Sequence, residues 1–121
     1  LKDALRRRGE NISSFEIEQA LVSHDMIQEV AAIGVPADQE AGEDEVMVFI
    51  VPTNRDYITA ESIWEYSEEQ LPDFAIPRYV EIVDSLPKTP SEKVRKIELR
   101  ERGVTAETDD RGPQPRRKRN A

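Results

Sequence analysis

The chain has 121 residues, of which 37% are hydrophobic and 35% charged, enough for one domain with a modest core. Its formal net charge of -8 speaks against general nucleic-acid binding by the folded part, and the absence of cysteine excludes disulfides and thiolate metal sites. No apolar run approaches the length needed to span a bilayer, and the first residues do not read as a secretory signal, so a cytoplasmic protein without a transmembrane segment is expected. Starting at Leu1 rather than methionine, the chain reads as a piece of a longer protein with a partner domain elsewhere.

Residues 3–8 suit a short strand that turns at Gly9 and returns through Glu10–Ile12. Arg6, Arg7 and Arg8 alternate across this ribbon and cannot all face one ligand, which leaves a solvated basic edge and a ligand role both open. Ser13 and Glu16 have the spacing of a capping box. A helix from Phe15 to Val22 follows, with Ile17, Ala20 and Leu21 on one face. Glu16 and Glu18 are two residues apart, on different helix faces, so structural roles are expected for them rather than paired acid–base work. His24 has no Ser, Cys or second His placed to form a triad or a ligand set, and reads as a helix-end residue.

Gln28–Val35 and Glu45–Val51 are rich in β-branched and apolar residues and are expected to pair as core strands. The acidic stretch between them, residues 36–44, lacks the spacing of a calcium loop and reads as a solvated connection. Thr59 is a candidate N-cap for a helix from Ala60 to Gln70 that Pro72 ends. Two faces compete for burial in it, Ile63, Tyr66 and Leu71 or Trp64, Ser67 and Leu71. Trp64 is expected to flank the core, and Phe74, Ile76 and Pro77 lead into a strand over Tyr79–Val83. The fold class that results is α+β: a small mixed sheet with two helices packed on one face, plus the N-terminal β-hairpin.

In Leu86–Arg100, Pro87, Thr89, Pro90 and Ser91 oppose regular structure just before a basic amphipathic run that begins at Lys93. A mobile loop carrying a lysine to the mouth of a helix suits reversible contact with phosphate or carboxylate; a solvated surface loop is the other reading of the same composition. Val94, Ile97 and Leu99 are expected to anchor the last helix and Gly103 to stop it. Residues 104–121 are polar, end in the basic run 116–119, and are expected to form a tail without fixed structure.

The motifs fall in a telling order. Arg8-Gly9-Glu10-Asn11-Ile12 with Glu16-Ile17-Glu18 comes first, then Gly34-Val35-Pro36, then Phe74-Ala75-Ile76-Pro77-Arg78, then Leu86-Pro87-Lys88-Thr89-Pro90-Ser91-Glu92-Lys93-Val94. This set closely resembles the C-terminal domain of the adenylate-forming superfamily, which includes acyl-CoA synthetases, aryl-CoA ligases, luciferases and peptide-synthetase adenylation domains. The resemblance covers Leu1 to Gly103, so that residues 1–103 would be the domain and 104–121 a flexible basic tail. Within the superfamily the sequence looks most like the carnitine/crotonobetaine-CoA ligase type.

The resemblance implies a reaction in which a small carboxylic acid and ATP give an acyl-adenylate and pyrophosphate, after which the acyl group passes to CoA. It implies Lys93 as the adenylation lysine, Lys2 as the hinge, Arg8 and Gly9 along the CoA approach, and Arg6 near the acyl-adenylate. It also implies an N-terminal domain of the same enzyme, which would hold most of ATP and its Mg, and no nucleic-acid partner. Glu92 departs from the pattern, since most members have glycine there, and its carboxylate is expected to pair with Lys93 or a neighbouring arginine. The competing class is a stand-alone α+β module using its basic residues on RNA or an acidic partner.

Overall fold

Two apolar runs form the centre of the molecule in the computed structural model, which describes residues 4–7, 10–37 and 43–113. They are β3, Ile27–Pro36, and β4, Asp44–Pro52, paired antiparallel with Ala32 opposite Val48 and Val30 opposite Ile50. Every residue of β4 from Glu45 to Val51 is buried, and Val46–Val51 is apolar without interruption, as expected of a strand covered on both faces. Its alternate residues serve two cores: Val46, Val48 and Ile50 face one way, Met47, Phe49 and Val51 the other. β4 continues through a short 3-10 turn, the helix α2 (Ala60–Gln70) and a second 3-10 turn into β5 (Tyr79–Ile82), which pairs parallel to β4 as a helical crossover permits.

The N-terminal hairpin, β1 (Ala4–Arg7) and β2 (Glu10–Ser13), and α1 (Ser14–Val22) share the first core with α2. Leu5, Ile12, Ile17, Leu21 and Ile63 meet there. The expected capping box of Ser13 and Glu16 does not form. Ser13 is the last residue of β2, paired with Ala4, and its hydroxyl makes no cap bond, while Glu16 is exposed. Burial of Ile17 and Leu21, rather than capping, sets α1. In α2 the cap is made as expected and more fully. Thr59 Oγ1 accepts the Ser62 N–H at 3.1 Å and Ser62 Oγ accepts the Thr59 N–H at 3.0 Å. The buried face of α2 takes one member from each competing set, Ile63 and Ser67, together with Ala60. Ser67 can be buried because its hydroxyl donates to the Ile63 carbonyl at 2.7 Å.

Helix α3 (Lys96–Arg102) covers the opposite face of the sheet, burying Leu99 against the second core beside Leu86 and Val94. The two helices expected to cover one face, α1 and α2, do so, and α3 adds a second layer on the other. Ile97 is 58% exposed, against expectation, because it lies about 200° around the helix from Leu99 and a helix of two turns has one inward row. Gly103, with φ of 59°, closes α3 as predicted, its N–H reaching the Leu99 carbonyl at 2.9 Å.

Residues 104–113 also depart from expectation, since they form a strap rather than a free tail. β6 (Asp109–Asp110) pairs antiparallel with Tyr79 and Val80, extending the sheet to four strands in the order β3-β4-β5-β6. The buried Arg78 guanidinium donates to both Asp110 oxygens, at 2.9 and 3.2 Å, and lies 3.4 Å from Glu45. Glu81, 3% exposed, accepts the Arg102 guanidinium on one oxygen and the Thr108 hydroxyl, at 3.1 Å, on the other. Arg111 lies over the Trp64 ring at 5.9 Å and 3.5 Å from Glu68. Low hydrophobicity describes this segment correctly, but specific pairs with buried charges order it.

The stretch ahead of Lys93 expected to lack regular structure belongs to a closed turn running from Pro87 to Arg95, and the helix expected at Lys93 begins at Lys96. Lys88 bridges Val94, the Arg95 N–H meets the Pro87 carbonyl at 2.8 Å, and the Thr89 N–H meets the Lys93 carbonyl at 2.8 Å. At the tip the Glu92 N–H returns to the Thr89 carbonyl at 2.9 Å, which makes Pro90 the second residue of a β-turn, where its fixed φ is favourable. Glu92 follows with φ of 67°, the position that glycine ordinarily fills in such a bulged hairpin, and it is alone among the described non-glycine residues in having positive φ.

Two expected outcomes follow from this framework. Hydrogen bonding from Arg78 holds the Asp110 carboxyl below its ordinary value near 3.8, so its contribution is complete above that pH and is lost as pH falls through the lower folded-state value. Trp64 fluorescence should therefore shift below about pH 3.8 as Arg111 leaves the ring, and Asp110→Ala should show the shifted emission already at neutral pH. Second, Glu92→Gly removes a left-handed cost of about 1 kcal/mol but frees the unfolded chain by a few tenths, so stability should rise by up to about 1 kcal/mol. The denaturant midpoint should increase at unchanged slope.

Candidate functional site

Lys93 leaves the turn immediately after the left-handed Glu92 and three residues ahead of α3. Its backbone is held from both sides, the N–H donating to Thr89 Oγ1 at 3.1 Å and the carbonyl accepting the Thr89 N–H. Its side chain is exposed, and among the described residues the ammonium makes no ion pair or side-chain hydrogen bond. The cations around it are engaged. Lys88 Nζ lies 2.8 Å from Glu29 and 4.0 Å from Glu92, Lys96 Nζ lies 2.6 Å from Glu18, and Arg95 lies 3.1 Å from Glu98. Hydrogen bonding to Glu29 raises the Lys88 pKa above its ordinary value. The carboxylate of Glu92 thus approaches Lys88 rather than Lys93 or an arginine, which corrects the pairing expected for it.

A compact ammonium on a flexible stem, carried by an ordered backbone, can enter and leave a site while its root stays put. Placed among phosphate and carboxylate oxygens with water excluded, such a charge stabilises the negative charge that builds up during attack at phosphorus.

Arg6 lies on β1 opposite Asn11 with its side chain exposed, and its N–H donates to Asp44 Oδ2 at 3.0 Å. Asp44 reaches that amide across Gly34, where a Cβ would stand 3.1 Å from the Asp44 Cγ. The glycine of the Gly34-Val35-Pro36 motif therefore lets one carboxylate tie the hairpin to the β3–β4 pair. A cavity of about 200 Å³ separates Leu5 of the hairpin, Gly34 and Arg100 of α3. Lys2, Arg8 and Gly9 lie outside the described residues, as does the basic run 116–119.

Glu18 accepts the Ala32 N–H at 2.9 Å as well as Lys96, which gives it the structural role expected. His24 lies past the end of α1, its Nδ1 accepting the Met26 N–H at 3.0 Å and its ring edge-on to Tyr66. Among the described residues no group of three or more His, Asp or Glu is arranged to hold a metal ion, and no helix is long and apolar enough to cross a membrane. Sequence reasoning missed the acids that serve the cations, Glu29 for Lys88, Glu81 for Arg102 and Asp110 for Arg78. Each pair is separated by at least twenty-one residues, so local spacing carries no signal of it.

The sequence profile of the AMP-binding enzyme C-terminal domain matches residues 16–93. The chain is 34% identical over 100 residues to the peroxisomal trans-cinnamate:CoA ligase of Petunia hybrida, covering 83% of this chain and 17% of that protein. It is 36% identical over 95 residues to the crotonobetaine/carnitine–CoA ligase of Proteus mirabilis, covering 78% of this chain and 18% of the relative. Among solved structures, the fatty acyl CoA synthetase of Mycobacterium tuberculosis superposes with a TM-score of 0.76 at 30% identity, over 84% of this chain and 20% of that one. The chain thus spans no more than a fifth of the length of the proteins it is similar to. The alternative of a stand-alone RNA-binding module gains nothing from these likenesses. With its motifs in order, its mixed sheet between two helical layers, and relatives that are CoA ligases, the chain belongs to the AMP-binding enzyme C-terminal domain family.

Proposed function

We propose that this chain is the mobile C-terminal domain of an ATP-dependent acyl-CoA ligase and supplies its adenylation lysine, Lys93. The observation that carries the reading is the unpaired, exposed Lys93 ammonium on a hydrogen-bonded turn, at the end of the segment that matches the family profile. In the first half-reaction a carboxylate oxygen attacks the α-phosphorus of ATP, the bond to the β-phosphate breaks, and pyrophosphate leaves. Lys93 lies against the oxygens that gain charge in that step. In the second, the CoA sulfur attacks the acyl carbonyl and AMP leaves with the bonding electrons.

Lys93 has no part in thioester formation and must withdraw. Rotation about Lys2 exchanges the Lys93 turn for the hairpin, bringing Arg8 and Gly9 to the CoA approach and Arg6 toward the acyl-adenylate. Residues 1–103 carry these parts, and 104–113 brace the sheet beside them. ATP, its magnesium and the carboxylic acid are held mainly by the N-terminal domain of the same enzyme, which is the partner of this one. The cytoplasm, where ATP and CoA are available together, is the compartment proposed.

The purified 121-residue chain should neither exchange pyrophosphate into ATP nor make acyl-CoA, because Lys93 serves pockets that lie on another domain. Turnover by the chain alone would refute this. In the ligase containing it, Lys93→Ala should lower pyrophosphate exchange on the order of a hundredfold or more while sparing thioester formation from supplied acyl-adenylate and CoA. Gly9→Leu should do the reverse, and Lys2→Pro should hold one orientation and likewise separate the half-reactions. Equal losses in both half-reactions for all three folded variants would rule out the alternating arrangement.

A further inference from the structure

Lys93 stands between two lysines that the proposed chemistry does not use, Lys88 before it and Lys96 after it. The backbone bonds of the turn run within its own stem, from Lys88 to Val94 and from Arg95 to Pro87, and do not join it to the sheet. Leu86 and Val94 seat its roots against the second core, and charge adds a directed contact at each end. On the incoming strand, Lys88 Nζ reaches Glu29 Oε1 of β3 at 2.8 Å. On the outgoing side, Lys96 Nζ reaches Glu18 Oε2 of α1 at 2.6 Å and Ser14 Oγ at 3.1 Å.

Both pairs are sheltered, with side-chain exposures of 27% and 28% for the first and 15% and 19% for the second. Glu18 is itself fixed, because the same oxygen accepts the Ala32 N–H. Each carboxylate also neutralises a cation close in sequence to Lys93, so that the three lysines do not repel one another and the net positive charge is left on the middle one. Glu92 adds little to this, being 80% exposed and 4.0 Å from Lys88.

We propose that Glu29–Lys88 and Glu18–Lys96 form a two-ended clamp that aims the Lys93 ammonium, which makes Glu18 and Glu29 positioning residues for adenylation. The inference rests on the role assigned above to Lys93. Lysine suits the clamp as it suits the tip, since a point contact keeps the root of the turn in place without fixing its rotation. Displacing a reacting charge by an ångström is costly, so loss of either pair should show in the adenylation rate before it shows in binding.

The test uses Glu29→Gln, Glu18→Gln and the exchanged pair Glu29→Lys with Lys88→Glu. Lys96→Gln, which spares the Glu18–Ala32 bond, takes the place of Glu18→Gln should that variant fail to fold. In the 121-residue chain, NMR should show the Thr89–Lys93 amides shifted and more mobile on the picosecond–nanosecond scale, with thermal unfolding confirming the fold. In the ligase, kcat for pyrophosphate exchange should fall on the order of tenfold, with KM for ATP and the thioester step within about twofold. The exchanged pair should recover most of that loss. Unmoved turn amides in the single variants, equal loss in both half-reactions, or no recovery in the exchanged pair would overturn the clamp. Were Lys93→Ala to leave exchange intact, the role of Lys93 would fall by that result, and the amide shifts would still decide whether these carboxylates hold the turn.

Discussion

Burial of β4 on both faces is the constraint from which the rest of the domain follows. A strand that presents Val46, Val48 and Ile50 to one side and Met47, Phe49 and Val51 to the other must be covered twice. The first cover comes from elements on either side of it in the chain, the hairpin and α1 before and α2 after. The second has to come from what remains, and that is Leu86, the turn and α3. The lysine-bearing turn is thus delivered by the same packing that completes the core, with Leu86 and Leu99 buried on either side of it.

Charge buried at the edge of this sheet imposes a second requirement. Arg78 and Glu81 are 8% and 3% exposed on or beside β5, and unpaired charges so placed would cost several kcal/mol each. Glu45 and Asp110 satisfy the arginine, and Arg102 and Thr108 satisfy the glutamate. Three of those four partners come from α3 or residues 104–113. The strap therefore belongs to the folded body, and pairing of β6 with β5 also covers a sheet edge that would otherwise be open to another strand.

At the tip of the turn, backbone order and side-chain freedom are separated. Thr89 bonds both the N–H and the carbonyl of Lys93, and Pro90 presets the bend, yet the ammonium beyond them is solvated. That division suits the role proposed for Lys93, a charge that enters one half-reaction and leaves before the next. Backbone geometry also accounts for the glycine that the resemblance leads one to expect before the lysine. The bulge requires positive φ there, and Glu92 adopts it at a steric cost glycine would not have.

Local chemistry in the sequence determined a good deal: the two core strands, α2 with its Thr59 cap, the Gly103 stop, the mixed sheet and the family, because propensity, periodicity and ordered motifs act over a few residues at a time. It misled where a local pattern competed with pairing, as at Ser13, whose hydroxyl makes no cap although the spacing to Glu16 is right. Only the tertiary structure decided that α3 crosses to the second face, that residues 104–113 return to β5, and that Glu29, Glu18 and Glu81 serve Lys88, Lys96 and Arg102. All three rest on contacts between residues far apart in the chain, apolar for α3 and charged for the ion pairs. Which carboxylate meets which cation depends on where the sheet places residues tens of positions apart, and an acidic chain with 25 carboxylates for 17 Lys and Arg offers every cation many candidate partners until the fold selects one.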